Sequence, residues 1–528
     1  MTGSSWLGPC LVLAAITSVG STVPSQQPQL TPFEDAREPV PRNQIDSLLF
    51  ATLAQRGIRP ARPCSDAAFV RRVHLDVIGT LPTAEVARAF LADRNPDKRI
   101  QLIDRLLTRP EFADYWALKW SDLLRLKSEF PINLWPNAAQ AYHRWIRTSL
   151  AEGMPCDRFA RELLCASGSN FRVPQANFYR AMPARDPETI ARTVALTFLA
   201  ARTEHWPPER LAGFAGCFAQ VGFKATSEWK EEIVFFDPEL PERRALFPDG
   251  TPAEIGAGQD PREAFAAWLL RPHNPAFARG LANRMWAWLL GRGIVHEPDD
   301  MRADNPPSHP ALLDYLAQEF TAGGYDQRRL FRRILDSATY QLSCVPRQAG
   351  AEAIALFASY PLRRLEAEVL VDAIDQVCGT NESYSSAIPE PYTVLPAGQR
   401  SITLPDGSIT SPFLELFGRP PRDTGREAER TERTSAAQRL HLLNSSHIQR
   451  KIEQGPQLRA IFDARRPPRD VLSTLYLTIL SRLPTAAEVA AVQAWFPSGA
   501  ESRPAGRREA VIDVAWALLN SAEFLYRH

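Results

Sequence analysis

The tripeptide Leu-Pro-Thr occurs near both ends of this 528-residue chain, each time at the same place in an echoed pattern. Val73 to Leu91 reads VHLDVIGTLPTAEVARAFL, and Leu475 to Phe496 reads LYLTILSRLPTAAEVAAVQAWF. In each copy an apolar run is broken at proline, which lacks the N–H a helix interior needs. The threonine that follows, Thr83 or Thr485, is placed to cap the next helix, and Glu488 completes a capping box in the second copy. Each copy then leads to a kindred helix-ending phrase, LLTRPEF at 106–112 and LLNSAEF at 518–524. A helical hairpin used twice is therefore expected. Its polar residues are not repeated, so the echo reads as a packing unit rather than a duplicated active site.

The rest of the chain carries the same helical punctuation. Asn95-Pro96 and Asn274-Pro275 each place a capping side chain before a proline at the first helical position. Behind the first, Ile100, Ile103, Leu106 and Leu107 share one face; behind the second, Phe277, Leu281, Met285, Trp288 and Leu289 do so until Gly291 and Gly293. Strand signals are confined to Glu232–Phe236 and to a hairpin expected over Ser401–Thr410 around Pro405, Asp406 and Gly407. The expected fold is mainly α: two packed multi-helical domains with short β-hairpin insertions. Length supports more than one domain.

Trp6–Val19 is apolar and is followed by a Pro-rich polar stretch, so 1–23 is expected to be a signal peptide and 24–42 a linker. The domains are then expected at 43–237 and 261–528, joined by a linker at 238–260, with an insertion near 388–422 where Pro and Gly concentrate. Export implies a periplasmic or secreted protein, with no transmembrane span after signal cleavage. Cys64, Cys156, Cys165, Cys217, Cys344 and Cys378 would remain, either as buried free thiols or as bridges. Lys plus Arg number 61 against 60 Asp plus Glu, so no net field draws the protein to nucleic acid. Arg328, Arg329, Arg332 and Arg333 read as the solvated face of one helix.

Two long phrases carry a resemblance. FVRRVHLDVIGTLPTAEV with DKRIQLIDRLLTRPEFADYWALKWSDLLRL resembles the planctomycete cytochrome-associated domain, domain of unknown function 1549. NPAFARGLANRMWAWLLGRGIV, DDMRADNPPSHPALLDYLAQEF and SATYQLS resemble its companion, planctomycete-specific domain of unknown function 1553. The resemblance spans roughly 45–525. It implies an exported bacterial protein, in some relatives fused to haem or carbohydrate-binding modules, with no settled activity. Many relatives carry a C-x-x-C-H motif where this chain has Arg202, Thr203, Glu204, His205 and Trp206, and often a close cysteine pair where it has Arg426 and Ala428. Without those thiols covalent c-type haem is not expected, and other cofactors stay unknown.

The best polar constellation is the Pro-containing loop with Asp299, Asp300, Arg302, Asp304, Asn305, Ser308 and His309. Asp299, Asp300 and His309 are candidate acid, base or metal-holding groups, with Arg302 and Asn305 as ligand-binding candidates, although the spacing matches no metal motif. The competing reading makes them caps and turns, with Ser308 capping the next helix and Arg302 paired to an acid. Glu228 and Trp229, beside the expected strand, form a second ligand-binding candidate. Among twelve tryptophans most are expected in the core, while exposed indoles would stack on sugar rings. The expected role is binding or scaffolding linked to polysaccharide processing, with exported proteins or polysaccharide as partners. The alternatives are a metal-dependent or acid/base hydrolase centred on 299–309, and a redox component that has lost its haem motif.

Overall fold

The computed structural model describes residues 30–395, 397–463, 466–495 and 504–528; the expected leader at 1–23 lies outside them. Helices dominate the described residues, as the periodicity requires. Their strands form a three-stranded antiparallel sheet ordered β1 (Gly168–Ser169), β3 (Glu232–Phe236), β2 (Val221–Ala225), and a pair of β4 (Arg363–Arg364) with β5 (Tyr526–Arg527). The strand expected at 232–236 is β3.

Both echoed hairpins form as their caps dictate. The helix Asp66–Ile78 ends at Gly79, whose φ of 58° suits a residue without Cβ. Thr83 Oγ1 then accepts from the Val86 N–H at 3.2 Å. In the second copy Thr485 Oγ1 accepts from Glu488 N at 3.2 Å, while the Glu488 carboxylate accepts from Thr485 N at 2.7 Å. The two units pack on each other. Arg71 donates to the carbonyls of Ile479 (2.8 Å) and Phe524 (2.9 Å), and Arg72 donates to that of His528 (2.9 Å).

Asn274 caps the helix Pro275–Leu290 through Ala276 N at 3.0 Å. The other expected start lies two residues late. The helix runs Lys98–Leu107 from Asp97, because Asn95 Oδ1 accepts from Asp97 N and closes a turn ahead of it.

One continuous apolar core extends from Ile45 to Phe524. Trp116 sits near its centre, with ring centroids 5.4 Å from Trp288 and 4.4 Å from Phe331. The stretch 238–260, expected as a linker, contributes to this core through buried Ala245 and Phe247, the latter stacked 5.2 Å from Trp268. Asp35 N donates to Pro63 O at 2.8 Å and Arg42 pairs with Asp336 at 2.7 Å, so the end of the Pro-rich stretch also packs down.

A polar network runs through this core. Asp76, fully buried, accepts from Tyr340 (2.8 Å), Tyr360 (2.9 Å) and Arg363 (3.0 Å) and pairs with Arg527 at 3.3 Å. Glu366 accepts from Tyr115 and Lys119 alongside. Such paired burial fixes one arrangement of distant segments.

No hairpin forms over Ser401–Thr410, correcting the expectation there. A 3-10 turn covers Ser401–Thr403, and the Asp372 carboxylate takes the N–H groups of Ser401 (2.7 Å) and Ile402 (3.1 Å). Asp406 accepts from Ser408 N and Ser128 N, both at 2.9 Å. Side-chain carboxylates have taken the donors a strand ladder would need. All six cysteines named above are free, and among the described residues no helix is long and apolar enough to cross a membrane.

Candidate functional site

The loop 299–309 was the leading polar candidate, and its groups diverge. Asp299 is fully buried and turned toward Arg202, 2.6 Å away. Burial works against the Arg202 charge, and the carboxylates of Asp299, Asp300 and Glu297, Asp299 foremost, more than restore it, raising the guanidinium pKa. Asp300 pairs with Arg302 at 3.1 Å, and Arg302 reaches on to Asp304 at 3.2 Å. Asn305 donates to the Asp300 carbonyl at 3.0 Å, closing a turn. The cap of the helix Pro310–Ala322 is His309 rather than Ser308: its Nδ1 accepts from Leu312 N at 3.0 Å, while Nε2 lies 2.9 Å from Thr52 Oγ1. Ser308 instead donates to Ile294 O through both its N–H and its hydroxyl. His309 is thus committed to a helix terminus and to Thr52. Among the described residues no group of three or more His, Cys, Asp or Glu side chains is placed to hold a metal ion.

Arg302 also lines a cleft of about 1030 Å³, with Arg202, Trp206, Arg210, Trp268 and Arg271. Most of its cations are tied: Arg202 and Arg302 as above, Arg279 to Asp314 at 3.4 Å, and Arg210 to the Pro248 carbonyl while lying 3.9 Å over Trp206. The two stretches that depart from the cysteine pattern of the relatives meet nearby, where Arg426 pairs with Glu204. Neither stretch holds a thiol, so thioether links to haem have no attachment point and that group does not fit here.

The other candidate, Glu228 with Trp229, lies at the β2–β3 turn, away from that cleft. There the structure gathers aromatic rings from three distant segments. Trp229 is 72% exposed and Tyr392 56%; the Trp135 ring stands between them, 6.3 Å from Trp229 at 83° and 5.5 Å from Tyr392. Lys230 Nζ lies 5.4 Å from the Trp135 centroid and 5.6 Å from that of Trp229, in cation–π range of both. Phe130 and Val394, both strongly exposed, belong to the same segments as Trp135 and Tyr392.

Trp135 is held in an unusual backbone state, φ 73° and ψ 146°. Pro136 follows and starts the helix Pro136–Ala151, which excludes the α region for the residue before it and demands an extended ψ. The positive φ is imposed by loop closure. Asn133 N donates to Glu129 O at 2.7 Å, Leu134 N to Lys127 O at 3.2 Å and Trp135 N to Ser128 O at 3.3 Å, while Arg180 holds Leu134 O at 3.2 Å. The segment around 385–410 braces the loop from below: Ser128 bonds Asp406, Glu129 N donates to Ser408 Oγ, and Ala387 N donates to the Glu129 carboxylate. A non-glycine residue in this region costs about 1–3 kcal/mol and persists only where its surroundings enforce it. By contrast Ala200 and Ser481, also at positive φ, sit in ordinary left-handed helix caps with ψ of 38° and 21°.

Trp229 was legible as a candidate, with Lys230 beside it in the chain; Trp135 and Tyr392 as their neighbours were not, since nothing local in sequence joins positions so far apart. Residues 44–206 match the family model PSCyt2, protein of unknown function (DUF1549), and residues 261–496 match PSD1, protein of unknown function (DUF1553). Trp135 lies in the first matched region, Tyr392 in the second, and Trp229 with Lys230 between them. No curated protein and no solved structure matches the chain. The chain belongs to the proteins that join these two domains of unknown function, PSCyt2 followed by PSD1, in one polypeptide.

Proposed function

We propose that this protein is an exported binding component that holds polysaccharide on the surface formed by Trp135, Trp229 and Tyr392. The observation that carries the reading is Trp135, a half-buried ring held between exposed Trp229 and Tyr392 on a strained backbone that glycine would satisfy better. Leaving ring faces in water forgoes about 25 cal/mol for each Å² that could be buried. Aromatic residues exposed together and flanked by polar side chains mark a surface that is covered in use. A pyranose ring suits it: its C–H face packs on an indole, and its hydroxyls remain free to bond water or the surrounding polar groups. The supporting sequence feature for export is the apolar stretch followed by a Pro-rich segment at the N-terminus.

Affinity electrophoresis through gels cast with a polysaccharide panel, together with tryptophan fluorescence, tests this. At least one polysaccharide is expected to retard the protein and shift its emission, and Trp229→Ala or Tyr392→Ala should reduce retardation about tenfold or more. Both side chains are largely exposed, so unfolding transitions should stay within about 0.5 kcal/mol of the parent. Migration unchanged by every polysaccharide, or variants that bind as the parent does, would overturn the reading.

A further inference from the structure

Resting on the carbohydrate reading, we infer that the polysaccharide is acidic, and that Lys230 reads a carboxylate or sulfate group on the sugar stacked against Trp135 and Trp229. Lys230 occupies the corner between the two indoles, which meet nearly at right angles. It makes no ion pair within the described residues, unlike most of the charges around it. Glu231 accepts from Ser169 Oγ at 2.5 Å and from Thr226 Oγ1 at 2.7 Å. Glu232 is clamped by Arg185 at 2.6 and 2.9 Å and by Arg180 at 3.1 Å. On this hairpin, exposed Lys224 adds to the positive charge, leaving exposed Glu228 as the opposing group.

The backbone supplies a second, independent observation. Glu231 N donates to Glu228 O at 3.2 Å, closing a turn in which Lys230 is the third residue, at φ 62°. That position favours glycine, because a positive φ crowds a Cβ. Trp135 and Lys230, from loops almost a hundred residues apart, thus both place a long side chain on backbone that would accept glycine more readily, and those side chains converge on one point. Strain shared by two converging groups is characteristic of a site where the side chains themselves are needed. A cation in an aromatic corner complements a ligand with an apolar face and a negative substituent, and hydrogen bonds to a charged group are about twice as strong as neutral ones.

The test compares dissociation constants of the full chain for polygalacturonate, a sulfated galactan and an uncharged glucan, at two salt concentrations. At least one acidic polymer is expected to bind about tenfold more tightly than the glucan at low salt, with the advantage shrinking as salt rises. A uronate-selective result assigns the carboxylate, a sulfate-selective result the sulfate ester. Lys230→Met should collapse the preference to within about twofold while leaving glucan binding intact, and Lys230→Arg should restore it. Lys230→Gly, which relaxes the turn, should fold at least as well as the parent and also lose the preference. Equal binding of acidic and neutral polymers, or a preference that survives Lys230→Met, would overturn the inference while leaving the carbohydrate reading in place. Binding that ignores Trp229→Ala would instead remove that reading itself.

Discussion

The loop 299–309 and the aromatic corner at Trp135 are opposites. The loop is rich in the residue types that do chemistry, yet the structure directs them to internal partners: Asp299 to Arg202, His309 to the start of a helix, Arg302 to two aspartates. The corner has no catalytic composition, yet Trp229 and Tyr392 are exposed, Trp135 and Lys230 are only half-buried, and the last two stand on backbone of positive φ. Polar residue types in a loop therefore say little until their partners are known. Large side chains that meet at the surface on backbone favouring glycine say more.

The largest way to stress this contrast is acid. Burial holds His74 down to about 4 and His143 and His528 down to about 3, so each stays neutral when folded and takes up a proton on unfolding below its usual value near 6.5. Their stabilisation is complete above pH 6.5 and is lost as pH falls. Each contributes up to about 1.4 kcal/mol per pH unit, so the three together remove roughly 4 kcal/mol per unit below about pH 5.5. Denaturant midpoints measured from pH 7.5 to 4.5 should fall steeply, while polysaccharide affinity per folded molecule at pH 5.5 stays within about twofold of that at pH 7. A flat stability profile would break the account of these histidines.

Replacing Asp299 by Ala comes next. It strips a buried carboxylate from Arg202, whose side chain keeps 21% exposure, and should cost about 2–4 kcal/mol in denaturant titration without changing polysaccharide binding. Loss of binding with an unchanged fold would return the loop to candidacy. The smallest and sharpest comparison is Trp135→Gly with Trp135→Ala. Both remove the ring and should lose binding alike, but glycine accepts φ 73° freely and should leave the protein about 1–2 kcal/mol more stable than alanine does. Equal stabilities would mean that the backbone there is not strained.

Much of the fold was legible because its signals are local. Thr83, Thr485 with Glu488, and Asn274 with Pro275 announce their helices within four residues, and β3 follows from five β-branched, aromatic and charged residues in a row. What failed was also local, misjudged through distant partners. Ser401–Thr410 looks like a hairpin until Asp372 takes its N–H groups, and burial around that carboxylate, pushing it up to about 6, is invisible in the sequence. Ser308 was the obvious cap, but Ile294 O holds it and His309 caps instead. The aromatic corner was half legible. Trp229 stood out beside its strand, whereas the φ of Trp135 is set by loop closure and by a brace more than 270 residues away.

The arginines of the helix Asp66–Ile78 add a constraint in time. Arg71 and Arg72 reach carbonyls 408 to 456 residues further along the chain. Closing a loop of that length costs roughly 5 kcal/mol of chain entropy, and contacts of such separation form slowly. In a chain made from its N-terminus, Arg71 waits for more than 400 further residues before its acceptors exist, while Arg72 meets the carbonyls of Tyr340 and Leu342 earlier and completes its set only with His528. The last stretch, through β5, therefore acts as a clasp: until it arrives, the first echoed hairpin remains without its partner.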